Sequence, residues 1–144
     1  MRVETIRQIE LAFRDAPMMR AEAVPEQDEV DVASQALGMK FPDDYQEFLL
    51  RYGGGIVGPY PIFGLRPVEL MEEHRWSVVG LTEEIRTSGV NIPFQWVVFS
   101  EDLAGNPIGF DATGKIWIYD HDFGGIAELA NDFESYLQIH CLKQ

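Results

Sequence analysis

Hydrophobic positions along the chain keep a helical rhythm first and an alternating one later. Val3, Ile6, Ile9 and Phe13 recur at steps of three, three and four, which predicts an amphipathic helix that Pro17 prevents from continuing. A charged connection from Met18 to Glu29 follows. A second helix is expected from near Asp28, burying Val30, Ala33 and Leu37 and stopping at Gly38, the residue that most readily takes a left-handed C-terminal conformation. Phe41-Pro42-Asp43-Asp44-Tyr45 marks a third helix start, with Pro42 suited to the first helical position and two carboxylates meeting the positive end of the helix dipole. Tyr45, Phe48, Leu49 and Tyr52 then form one apolar face, and Gly53-Gly54-Gly55 ends the helix and permits a reversal.

Beyond the glycines the period shortens. Ile56-Val57 and Ile62-Phe63-Gly64-Leu65 read as short strands beside Pro59 and Pro61, which suit an edge or a turn. A polar helix is expected from Pro67 to Trp76 and a short one from Thr82 to Thr87. Gln95 to Ser100, β-branched and aromatic, reads as a buried central strand. Ile108-Gly109-Phe110-Asp111 and Lys115-Ile116-Trp117-Ile118-Tyr119 flank Ala112-Thr113-Gly114, a three-residue hairpin loop. Alternation puts Ile108, Phe110, Ile116 and Ile118 on one face, with Trp117 and Tyr119 on the other. A last helix is expected to carry the stripe Ile126, Leu129, Ala130, Phe133, Leu137 and Cys141. The sum is an α+β fold: residues 1–144 as a single domain, N-terminal helices packed on a mainly antiparallel sheet, and a closing C-terminal helix.

Composition narrows the partners. The chain has 144 residues, 46% of them hydrophobic, which suits one well-filled core. Its 11 basic and 24 acidic side chains give a net charge of −13, a field that repels phosphate backbones and anionic lipid. No nucleic-acid or membrane partner is therefore expected. The same field speeds encounter with a basic protein, although excess acid also serves solubility alone. Beyond Thr87 only Lys115 and Lys143 are basic, so the sheet and its loops are the candidate acidic face. The single cysteine, Cys141, fits a reducing compartment, and without an apolar signal or spanning segment the expected location is cytoplasmic.

The search for chemistry returns no specific constellation. Asp120-His121-Asp122 combines imidazole and carboxylate, but adjacent strand residues point to opposite faces, so a turn in which Asp side chains bond nearby backbone is the expected role. The Glu101-Asp102-Leu103-Ala104-Gly105-Asn106 loop lacks calcium-loop spacing. His74 and His140 fall in predicted helices without a second ligand at metal spacing, and Cys141 reads as a small buried hydrophobe. The expectation is no catalytic set, no metal and no cofactor. Trp117 and Tyr119 either stand on an open sheet face, as apolar anchors beside Glu101, Asp102, Asp120 and Asp122, or pack under a helix.

Two segments carry a resemblance. Leu37-Gly38 followed by Phe41-Pro42-Asp43-Asp44-Tyr45, Phe48-Leu49 and Gly53-Gly54-Gly55 is similar to the N-terminal pattern of the SUKH superfamily. Phe99-Ser100-Glu101-Asp102, Phe110-Asp111, Gly114 to Tyr119 and Asp120-His121-Asp122 resemble its later acidic turn, hairpin and strand end. Phe41 stands in place of the usual Leu, Gly53 in place of Asn, and Leu103-Ala104-Gly105-Asn106 in place of a turn richer in Gly and Asp. The resemblance implies an α+β domain that in bacteria acts as an immunity protein, binding and neutralising a cognate polymorphic toxin, often a nuclease or deaminase. It implies no catalytic residues. A eukaryotic branch resembles regulators of cell-wall assembly, which leaves a regulatory protein–protein adaptor as the alternative. On the immunity reading the partner-binding residues are Glu101, Asp102, Trp117, Tyr119, Asp120 and Asp122.

Overall fold

The N-terminal rhythm forms α1 (Val3–Asp15) in the computed structural model, which describes residues 1–92 and 95–142. This helix buries Thr5, Ile9 and Phe13 and leaves Val3 82% exposed, so its inner stripe is turned from the one read in the sequence. The polar Thr5 is accommodated because its hydroxyl donates to Glu134 at 2.6 Å. Next, α2 (Gln27–Leu37) begins with a reciprocal Glu26–Glu29 capping box, buries Val30, Ala33 and Leu37, and ends at Gly38 with φ 71°. In α3 (Asp43–Tyr52) Pro42 sits just outside the first turn, one residue earlier than expected, and Tyr45, Phe48, Leu49 and Tyr52 are buried as predicted. Gly53 closes α3 at φ 78°, and its carbonyl accepts from the amides of Leu65 and Arg66. A side chain there would run into the Ala23 carbonyl, so the position requires glycine.

Six strands follow in one antiparallel sheet whose spatial order is the sequence order. They are β1 (Gly55–Val57), β2 (Tyr60–Ile62), β3 (Val97–Glu101), β4 (Pro107–Phe110), β5 (Ile116–Asp120) and β6 (Gly125–Ala130), with α4 (Val78–Thr87) between β2 and β3. The β2–β3 ladder has one residue pair, Ile62 with Ser100, although the Phe63 amide extends it by donating to the Phe99 carbonyl. Farther along β3, the Thr82 hydroxyl of α4 takes the missing strand's role, accepting from the Val98 amide at 2.9 Å and donating to its carbonyl at 3.2 Å. The ladder between β3 and β4 skips Phe99. That ring lies in the core, 5.7 Å from Tyr45, 5.4 Å from Phe133 and 5.4 Å from Tyr136. Tyr45 donates to the Phe63 carbonyl, and Ser100 donates to that of Pro61 while lying 3.0 Å from the Tyr136 hydroxyl. The sheet is thus joined to α3 and to α5 (Phe133–Tyr136), which continues as a π-helical turn over Leu137–Cys141.

Four sequence expectations are corrected. Residues 67–76 form turns rather than a helix, because the segment's end is held by backbone bonding: Gly64 donates to the Trp76 carbonyl and accepts from Val78. His74 consequently lies exposed in a turn. The helix expected from Thr82 starts earlier, at Val78, where the Ser77 hydroxyl caps it by accepting from the Gly80 amide. Ile126, Leu129 and Ala130 belong to β6, not to the closing helix, which begins only after the Asp132 side chain caps it by accepting from Ser135 at 2.7 Å. Strand β2 ends at Ile62, so Phe63-Gly64-Leu65 lies outside it.

Candidate functional site at the loop end of the sheet

An antiparallel meander puts alternate connections at the same end, so the β3–β4 loop and the β5–β6 turn are neighbours. Each is built around one aspartate. Asp102 accepts from the amides of Ala104 and Asn106 through Oδ1, at 2.9 and 2.8 Å, and from the Asn106 amide group through Oδ2 at 3.0 Å. Asp120 Oδ1 accepts from the amides of Asp122 and Phe123, and the Asp120 carbonyl accepts from Gly124. The two loops are then joined, because Asn106 Oδ1 accepts from the His121 amide at 2.9 Å.

This framework holds two large apolar side chains in solvent. Leu103 is 79% exposed and Phe123 88% exposed, each directly beside a loop-forming aspartate or its turn. Neither side chain packs in the core, and the backbone of both loops is held by aspartate hydrogen bonds. Asp122 adds an exposed carboxylate, and Tyr119 meets the His121 ring edge-on at 5.3 Å.

The residues expected at the binding face are placed differently from one another. Tyr119, Asp120, Asp122 and Asp102 converge on the loop end, but the carboxylates of Asp102 and Asp120 are occupied with loop backbone. Glu101 lies at the start of the same loop and forms a paired contact with Arg75, at 2.7 and 2.9 Å, whose guanidinium also lies over Phe63. The Glu101 hydrogen bonds hold the Arg75 guanidinium above its ordinary pKa, so this acidic charge is locally compensated. Trp117 is half-buried, and its indole N–H donates to Asp111 Oδ2 at 2.9 Å, toward the hairpin turn at the opposite end of the sheet. The Lys115 ammonium lies 5.8 Å from the centre of its ring system.

Leu103, Phe123, Asn106 and Arg75 were not singled out in the sequence. A usable signal exists for the first two: in Asp102-Leu103-Ala104-Gly105 and Asp120-His121-Asp122-Phe123-Gly124 a large hydrophobe lies between a turn-forming aspartate and a glycine. The Asn106 bridge and the Arg75 pair are tertiary and leave no local trace.

Metal or nucleophilic chemistry finds little purchase. Among the described residues no group of three His, Cys, Asp or Glu could hold a metal ion. His140 Nε2 lies 3.2 Å from the Leu129 carbonyl. Cys141 is 3% exposed, and burial pushes its thiol up to about 12 despite an opposing Tyr136 hydrogen bond, which leaves it protonated at neutral pH. Among the described residues no helix is long and apolar enough to cross a membrane.

Helices thus pack on an antiparallel meander whose loops at one end are tied together and present apolar tips. The chain belongs to the SMI1 / KNR4 family (SUKH-1), whose profile matches residues 25–139. This agrees with the motifs at Leu37–Gly55 and Phe99–Asp122. No curated protein matches the sequence.

Proposed function

We propose that this protein is a non-catalytic immunity protein that binds and neutralises a cognate polymorphic toxin, a basic nuclease or deaminase, through the loop end of its sheet. The observation that carries the reading is the exposed pair Leu103 and Phe123, on loops fixed by Asp102, Asp120 and the Asn106–His121 bridge. A rigid apolar tip loses little conformational freedom on docking, and large aromatic anchors dominate interface energies. Family membership and the net charge of −13 support the same reading, since an acidic inhibitor gains association rate against a basic partner. The cytoplasm is the compartment in which such a protein would act.

Surface-binding kinetics against the toxin domain encoded beside its gene tests this. Phe123→Ala should speed dissociation by about 30-fold, the equivalent of about 2 kcal/mol, with little change in association rate. Asp122→Lys should instead lower the association rate and flatten its salt dependence. If the toxin domain binds and Phe123→Ala leaves dissociation unchanged, the loop end is the wrong face. If it does not bind at all, the immunity assignment falls.

A further inference from the structure

Four basic side chains gather in one place despite the acid excess. Arg7 and Arg14 of α1, Arg51 at the end of α3, and Arg20 in the connection between α1 and α2 line a cavity of about 650 Å³. Glu10 is the single carboxylate among its described lining residues, and it accepts from the Tyr52 hydroxyl at 3.5 Å. Arg7 and Arg14 are seven residues apart and so share a face of α1.

Arg20 is positioned without any acid. Phe13 and Tyr52, in edge-to-face contact at 5.3 Å, form a buried floor beneath its guanidinium, which lies 5.9 and 5.3 Å from the two ring centres. Its Nε donates to the Ala21 carbonyl at 3.3 Å and its Nη2 to that of Arg51 at 3.0 Å. A guanidinium has five N–H donors, so three remain for a ligand. Arg14 has no ion-pair partner among the described residues. Arg7 and Arg51 pair with Glu4 and Glu47, but these are exposed contacts within single helices, worth little and readily exchanged.

With 24 acidic side chains against 11 basic ones, carboxylates are in surplus, yet two of four clustered arginines lack one. A single guanidinium fork satisfies a planar carboxylate. Several converging from separate elements match a multiply charged tetrahedral oxyanion. We propose that this cavity binds a phosphate-bearing ligand. Its volume falls within the range of about 300–1,000 Å³ typical of small-ligand sites. At physiological ionic strength, charges beyond about 8 Å are largely screened, so the local guanidinium groups outweigh the distant acid excess. The cavity shares no residue with the loop end of the sheet. Most of its lining precedes residue 25, where the family match begins, so the site stands or falls independently of toxin binding.

Calorimetric titration of the full chain at physiological ionic strength tests it with three probes: inorganic pyrophosphate, a phosphoserine peptide, and the same peptide unphosphorylated. Saturable one-to-one binding of a phosphorylated probe is expected, weakened at least about tenfold by Arg14→Gln and by Arg20→Gln, a loss that corresponds to about 1.4 kcal/mol, and unchanged by Lys40→Gln. Tighter pyrophosphate binding assigns the site to a free phosphate compound. Tighter phosphopeptide binding, with the unphosphorylated peptide silent, assigns it to a modified protein segment. Arg20 also braces backbone carbonyls, so Arg14→Gln, exposed and unpaired, carries the test if the Arg20 variant unfolds. Absence of saturable binding of both phosphorylated probes, or binding that Arg14→Gln leaves unmoved, overturns the proposal.

Discussion

At the Asp111 carboxylate, burial and hydrogen bonding act in opposite directions. Burial alone would raise its pKa, but donors from Thr113, Trp117 and Lys115 favour the charged form more strongly and hold it below the ordinary aspartate value. A folded-state pKa below the unfolded one, about 3.9, means that the stabilisation is complete above that pH. It is lost as pH falls through the folded value. Asp111→Asn should therefore lower stability by about 1 kcal/mol at pH 7, a charged hydrogen-bond contribution discounted for partial solvent screening. The difference should shrink as pH falls below the unfolded value of about 3.9 and through the lower folded one. Thermal melts of both proteins across pH 3 to 7 check this, and a gap that widens on acidification would contradict it.

Among the structural elements, the two loops at the sheet end depend on one side-chain contact between them. Asn106→Ala removes the acceptor for the His121 amide and one donor to Asp102, while leaving both loops their own aspartates. Amide exchange at His121 should accelerate by about tenfold or more, with exchange in the β5 centre unchanged, because the loss concerns local opening. Equal protection in both proteins would mean that the bridge is not what orders the turn. The strength of local signals explains what was legible beforehand. Gly38, Pro42 with its two aspartates, and Gly114 in the hairpin are short-range devices, and each element they punctuate forms where expected. In β6 the spacing of Ile126, Leu129, Ala130 and Phe133 imitates a helical face, and Ala, Glu and Leu favour helix intrinsically. Pairing with β5, which no local pattern records, decides the outcome in favour of a strand. Likewise, the composition of residues 67–76 suits a helix, but bonding between Gly64 and both Trp76 and Val78 holds the segment's end in another path. In the candidate site, the aspartates were legible as turn formers. Their service to loop backbone, and the exposure of Leu103 and Phe123 as a consequence, required the tertiary arrangement.

Over the whole molecule, a net charge of −13 on a single small fold implies self-repulsion that opposes compaction. Raising salt from about 10 to about 200 mM shortens the screening length from roughly 30 Å to below 10 Å, which relieves that repulsion. The exposed ion pairs weakened at the same time, such as Arg7–Glu4, contribute little. The melting temperature should rise over this range. A fall would mean that ion pairing outweighs net charge. On the proposed immunity function, the same field and the loop tips act by stoichiometric binding and not by turnover. Activity of the toxin domain encoded beside the gene, titrated with increasing amounts of this protein, tests it most directly. Neutralisation by tight binding gives a linear loss ending at one equivalent, with Phe123→Ala converting the sharp end point into a shallow curve. Full toxin activity in the presence of excess protein, or complete inactivation by a small fraction of one equivalent, would contradict it.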